Sequence, residues 1–326
     1  MSALKVVVGV VAVAALFVGY TRWEARPLTI PELSAKYKLP NSQFADIDGV
    51  QVHYAEDGAK DLPCVVMLQG VNTNLRIWDP IVDDLKKTFR LIRIDTLTMG
   101  LTSPDPKGDY SAGRNPHIIE TMMDRLGAPR CAFVTNGGGG RIAYRIADSH
   151  PERVERIVMM NSAGAPHDPA KRPAPPNAVK AFFAPYSAFA GTTRRDYGAV
   201  PPTEAFIRQN YDMNRRAGLA SEIKLAKVGA AGDDAQSYLP KVRVPVLLIW
   251  GATDVQVPIE DLAVFERSLT NAPNMTKVYK DAGHYPYLEH PKDAVRDITA
   301  FLSGAYDGEL RQPAQSETPP ANATVR

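Results

Sequence analysis

The sequence predicts an α/β protein: a mostly parallel central sheet with helices on both faces and a helical cap inserted late in the strand order. Three observations carry this expectation. Short, continuously apolar runs such as CVVMLQG (64–70), CAFVTN (131–136) and VPVLLIWG (244–251) alternate with helix-patterned segments, as strands buried on both faces do. A glycine-rich turn, Asn136-Gly137-Gly138-Gly139-Gly140, stands where one of these runs hands over to a helix. From Ala163 to about Val242 the strand signal gives way to Pro- and Ala-rich helical text, after which the alternation resumes.

The elements follow in order. Val6 to Tyr20 is an uninterrupted apolar run flanked by Lys5 and by Arg22, Glu24 and Arg26, slightly short against the roughly 20 residues of a bilayer crossing. Residues 1–25 are read as an uncleaved membrane anchor. A cleaved signal and a buried amphipathic helix stand as alternatives, and the globular domain is expected on the exported side by the default of such anchors. Residues 26–43 read as a Pro-containing linker. FADIDGVQVHYAEDG (44–58) reads as a hairpin turning at Asp48-Gly49. Strands are expected at 64–70, 89–95, 131–136, 154–162, 244–251 and 276–284. Helices are expected at 78–87, from Pro116 to 127, after the glycines, at 259–269 and at 294–302. The core thus comprises 44–162 and 243–303, the cap 163–242, and a polar, Pro-rich tail, 304–326, is expected to be disordered. No internal repeat is present.

Composition narrows the function classes. With 38 Lys plus Arg against 36 Asp plus Glu over 326 residues, the charge balance is too even to imply a nucleic-acid partner. Two cysteines, Cys64 and Cys131, are no disulfide framework. Each opens an apolar run; buried small hydrophobes are one reading, and a bridge between parallel neighbouring strands is the other. His53, His117, His150, His167 and His290 lack metal-site spacing and read as loop or surface residues. No metal and no cofactor is implied. Gly138-x-Gly140-x-x-Ala143 formally satisfies a dinucleotide fingerprint, yet the next strand ends in Asn161-Ser162, with no acid for a ribose.

The motifs together carry a resemblance. A strand, a Gly-rich elbow and a helix resemble the nucleophile elbow of the α/β-hydrolase superfamily. Gln69-Gly70 followed by Trp78-Asp79 resembles the strand end that leads into the family's oxyanion loop. IDTLTMGLTSPD is similar to its Asp-x-Pro-Gly-x-Gly-x-Ser loop through Asp95, Gly100 and Thr102, and WGATDVQVP to the acid-bearing loop, with Asp254. DAGHYPYLEHP is similar to the histidine loop, with His284. The matches run in family order over about 44–303.

The resemblance implies a site with its nucleophile missing. Aligning TNGGGG with G-N-S-x-G-G puts Thr135 on the first glycine and Gly137 on the serine. A serine hydrolase needs a hydroxyl there for attack, a histidine to take its proton and a carboxylate to fix the histidine tautomer. Glycine supplies no such atom, and it relieves backbone strain of order 1–3 kcal/mol that the apex residue bears in active relatives. The resemblance leaves Val71 and Gly138 as oxyanion-hole amides beside Gln69, with the following helix adding its positive end. His284 with Asp254 stands either as a retained structural pair or as a general-base dyad that activates water. Arg141 reads as pointing to solvent, or as holding an anionic ligand. The cap residues Phe182, Phe183, Tyr186, Phe189, Tyr211 and Met213 suit packing or an apolar pocket. The expectation is a membrane-anchored pseudohydrolase for an apolar acyl or ester-like ligand. The alternatives are a hydrolase or lyase-like enzyme using the dyad, and a membrane-associated protein-interaction module.

Overall fold

A computed structural model describes residues 3–166, 183–229 and 234–313. Eight strands form one sheet: β1 (Ser42–Ile47), β2 (Val50–Asp57), β3 (Cys64–Leu68), β4 (Arg90–Ile94), β5 (Cys131–Asn136), β6 (Val154–Met160), β7 (Val246–Gly251) and β8 (Asn274–Tyr279). Their spatial order is β1-β2-β4-β3-β5-β6-β7-β8. The β1–β2 and β2–β4 pairings are antiparallel and the remainder parallel. The hairpin turns at Asp48-Gly49, both at positive φ. The last strand starts at Asn274 and stops at Tyr279, so His284 lies on the following loop and not on the strand expected at 276–284.

Period-two alternation inside continuously apolar strands divides the core into two layers. Val66, Leu68, Phe133, Ile157, Met159, Leu248 and Trp250 face one layer. It includes residues of α4 (Arg114–Arg125), α5 (Gly139–Ser149) and α10 (Ile259–Ser268). Val65, Met67, Val134, Val158, Met160, Leu247 and Ile249 face the other, with residues of α3 (Asp79–Leu85) and α12 (Pro291–Leu302). In the described part of the cap, α6 (Pro185–Arg195), α7 (Glu204–Met213), α8 (Leu219–Gly229) and the short α9 (Ala235–Tyr238) precede β7. A further short helix, α11 (Pro286–Glu289), follows the His284 loop. His167 and Phe182 lie outside the described residues.

The N-terminal helix α1 (Ala3–Glu24) contains a stretch, Lys5–Glu24, long and apolar enough to cross a membrane. Its apolar side chains, Val6 to Phe17, stand exposed, which removes the buried amphipathic alternative and leaves an anchor or a signal sequence. Its far end is tied down: Thr21 is buried, Glu24 pairs with Arg208, and Leu28 bridges to Arg216.

Two expectations need correction, and one open alternative is decided. The segment 26–43 is no bare linker, because α2 (Ile30–Tyr37) forms within it and buries Leu33 completely. A reciprocal capping box between Thr29 and Glu32 starts that helix. The tail is ordered at its beginning: Leu310 is buried, Arg311 exchanges two backbone hydrogen bonds with Asn274, and Arg156 grips Asp307. Finally, Cys64 and Cys131 are disulfide-bonded. They sit one residue before the Val65↔Ala132 pair of two parallel neighbours, which places their Cα atoms 4.7 Å apart, within bridging range.

The bridge closes a sequence separation of 67 residues, worth about 4 kcal/mol in a chain-entropy account. Reduction, or the Cys64→Ala/Cys131→Ala double variant, is expected to lower unfolding free energy by about 2–5 kcal/mol, read from urea unfolding with midpoint and slope both fitted, because the unbridged unfolded chain is more expanded.

Candidate active site

Strand β5 delivers the chain to Gly137, whose φ of +52° lies in the left-handed region where glycine carries no Cβ penalty. The turn is pinned against β6: Gly137 N–H donates to the Met160 carbonyl and Ala163 N–H to the Gly137 carbonyl, at 3.1 and 3.0 Å. Gly139 then lets α5 cross close over β3. A Cβ there would stand 2.2 Å from the Leu68 carbonyl oxygen, far inside contact distance. A tight handover and a close crossing thus account for Gly137 and Gly139.

Asp254 and His284 come together at this turn. The Asp254 carboxylate, 6% exposed, accepts hydrogen bonds at Oδ1 from Gln256 N–H and Val257 N–H (2.7 and 3.1 Å). At Oδ2 it accepts one from Asn161 Nδ2 at 2.6 Å and lies 2.7 Å from His284 Nδ1. A buried carboxylate saturated by donors holds its partner's proton at Nδ1. The histidine backbone is fixed as well: its N–H donates to the Asp196 carbonyl at 2.7 Å, and its carbonyl accepts from Asn136 Nδ2 at 3.0 Å. The free end of the ring therefore meets the elbow. A Cβ built on Gly137 would lie 3.2 Å from His284 Nε2 and 3.4 Å from the Cα of Gly70.

Electrostatics at the pair are set by opposing effects. Burial pushes the His284 pKa down, but the Asp254 charge, the hydrogen bond to it and the Asp196 charge outweigh burial, so the net shift is upward. Asp196, at the end of α6, is pushed up to about 6, mainly by burial and also by Asp254, against lowering by His284 and Gln256. Two carboxylates and one imidazole therefore share this corner of the molecule. The sequence reading missed Asp196, Asn161 and Asn136. Asn161 carried one local signal, a polar residue at the tip of an apolar strand, where it now sits at φ +42° and also accepts the Gly251 N–H.

Gln69, Val71 and Gly138 line one cavity of about 430 Å³. Strand ends bring them together: a Cβ on Gly138 would lie 3.8 Å from Val71 Cγ1. The wall does not include His284, which approaches this region through Gly137. Gln69 Nε2 donates to Asp95 Oδ1 at 3.0 Å, and the buried Gln69 Oε1 has no protein partner among the described residues. Asp95 is a hub, accepting also from Leu75 N–H and Leu101 N–H and lying 2.7 Å from His53 Nδ1. His53 is therefore buried structure and not the loop or surface residue expected. His117 and His150 do sit in exposed pairs with Asp48 and Glu120, and His290 lies 3.1 Å from Asp281. Arg141, read as pointing to solvent or as holding an anionic ligand, lines the cavity. Of the cap aromatics, Tyr186 and Phe189 pack on Tyr211, and with Phe183 and Met213 they lie outside the cavity wall, which favours packing over pocket formation.

The chain belongs to the alpha/beta hydrolase fold family, whose model matches residues 63–291. A cis-3-alkyl-4-alkyloxetan-2-one decarboxylase of Xanthomonas campestris is 27% identical over 283 residues, 78% of this chain and 93% of that protein. A 2-hydroxy-6-oxononadienedioate/2-hydroxy-6-oxononatrienedioate hydrolase of a Pseudomonas species is 25% identical, covering 83% of this chain and 100% of its own. Among solved structures, a bacterial membrane phospholipase A superposes with a TM-score of 0.68 at 20% identity, covering 93% of this chain and 96% of that one. A hydrolase from Pseudomonas aeruginosa does so at 0.64 and 25% identity, covering 81% and 99%.

The upward shift at His284 fixes a sign. A fold that favours the imidazolium gains stability from it below the unfolded value near 6.5 and loses that gain as pH rises through the folded value. The stability of the native chain relative to His284→Gln is therefore expected to be greater at pH 5.5 than at pH 9, measured by urea unfolding at both.

Proposed function

We propose that this protein is a hydrolase-fold protein without serine-nucleophile chemistry, a pseudohydrolase that binds an apolar acyl or ester-like ligand at a membrane. One observation carries the reading. The side chain that would sit at position 137 is the one aimed at His284 Nε2, since a Cβ there would lie 3.2 Å away, and position 137 holds only hydrogen. In a serine hydrolase the attacking hydroxyl occupies that interval. Thr135 does not replace it, because its buried hydroxyl donates to the Val158 carbonyl at 2.9 Å. Asn136 is committed to the Met160 and His284 carbonyls.

Binding without acyl transfer rests on what remains. Val71 and Gly138 meet at the cavity, their amides serving a ligand carbonyl, and the N-terminus of α5 adds positive potential beside them. The name of the decarboxylase relative, an alkyl-substituted oxetan-2-one, fits an apolar ester-like ligand. The helix α1 serves as the anchor. The Cys64–Cys131 bridge supports placing the domain on the exported side, since disulfides persist in oxidising compartments.

A second reading is favoured by the intact His284–Asp254 geometry. A buried imidazole whose pKa is raised and whose Nδ1 is held at 2.7 Å by a carboxylate is built as a general base, and a water taken up beside Gly137 would be its target. In that case ester turnover falls to background in His284→Ala.

A fluorophosphonate probe tests the first reading directly. The native chain is expected to remain unlabelled, and Gly137→Ser is expected to gain labelling that the double variant with His284→Ala loses. Robust labelling of the native chain would overturn the assignment of Gly137.

A further inference from the structure

The carboxylate of Glu289 takes no part in the site described above, yet Glu289 is only 5% exposed and follows His284 closely in the chain, at the end of the short helix α11. A buried carboxylate is costly unless donors meet it. Both of its oxygens are met, and by backbone. Oε1 accepts the Gly283 N–H at 2.7 Å and Oε2 the Gly198 N–H at 2.8 Å. One donor belongs to the histidine loop and the other to the cap segment that leaves α6.

Those two stretches also bond to each other. His284 N–H donates to the Asp196 carbonyl at 2.7 Å and Ala199 N–H to the Asp281 carbonyl at 2.8 Å, so 196–199 runs antiparallel to 281–284. Glycine permits the approach on each side: a Cβ on Gly198 would stand 2.0 Å from the Asp281 carbonyl oxygen, and one on Gly283 would stand 2.4 Å from that of Asp196. Tyr197 continues the contact, its ring centroid 5.1 Å from that of Tyr285 and 5.9 Å from that of Phe206 on α7. The seam also places charge. The carboxylates that act on the imidazole are Asp254 and Asp196, and the edge of the ring is covered by Tyr285 at 4.9 Å between centroids. Glu289 bonds to backbone on both sides of the seam, so its influence on the ring passes through the position of Asp196.

We propose that Glu289 is a positioning residue for His284: its carboxylate clamps the end of α6 to the histidine loop, so that this part of the cap and the imidazole move as one body with Asp196 held beside the ring. An amide cannot take its place, because glutamine offers one acceptor oxygen where two N–H groups converge. The clamp serves the imidazole equally whether His284 and Asp254 are a retained structural pair or a general base.

The test is an NMR titration of the His284 imidazole in the histidine-labelled full chain in detergent micelles, with amide hydrogen exchange read at Ala199 and His284. Glu289→Gln is expected to speed exchange at both amides about tenfold or more and to lower the His284 midpoint by about half a pH unit, as the Asp196 charge recedes. Asp196→Asn leaves the backbone seam in place and is expected to lower the midpoint without speeding exchange. In that background Glu289→Gln is expected to add no further drop, the non-additivity of residues that act through one contact. Gly198→Ala parts the seam from the cap side and is expected to reproduce the effects of Glu289→Gln, which keeps the test decisive should that variant fail to fold. A His284 midpoint unmoved by the parted seam, or one that falls equally in the native and Asp196→Asn backgrounds, would overturn the positioning role.

Discussion

The site depends on one backbone constraint, the left-handed turn at Gly137 by which β5 becomes α5. Hydrogen bonds to β6 on one side and the approach of Gly70 on the other leave that turn no freedom. The same turn aims position 137 at the imidazole, starts α5 beside the cavity, and brings Gly138 against Val71. A residue with a side chain would bear strain at this φ. Glycine makes the handover without strain and places no side chain in front of the imidazole.

Around the turn, the His284–Asp254 pair is held by matched partners. Asp254 has every acceptor position met, its histidine is held by backbone bonds at both ends, and a second carboxylate from the cap, Asp196, adds to the field on the ring. Preserving a buried ionisable pair is costly unless each charge is matched, and here each is. A second His–Asp contact, His53 with Asp95, sits on the other side of Gln69 and fixes the loop from 95 to 102 through Leu101 N–H and the Thr102 hydroxyl. One side of the cavity wall is thus set by a buried network that includes Gln69.

How much of this was legible in the chain depends on the range of the cause. The strands and their order of appearance follow from apolar runs that any reading of the sequence finds, and the motif order elbow, acid, histidine placed Gly137, Asp254 and His284 near one another correctly. The α2 helix is also written locally, as Thr29-x-x-Glu32 with a proline in the first turn, although the prolines around it point to a linker. The disulfide could not be decided without the register of β3 on β5, and Asp196, Asn161 and His53 gained their roles only from elements far apart in sequence. The two alternatives for Arg141 could not be separated for the same reason: which face of α5 meets solvent depends on where α8 of the cap lies. The docking of Leu310 hangs on Asn274, at the start of the last strand, and a polar tail gives no sign of it.

The measurement that bears most directly on the central claim is intact-mass spectrometry of the native chain mixed with excess p-nitrophenyl octanoate and quenched within seconds. A nucleophile-free elbow predicts an unchanged protein mass at every time point, whether or not the ester is consumed. A stoichiometric octanoyl adduct that maps to any residue within reach of His284 would contradict it.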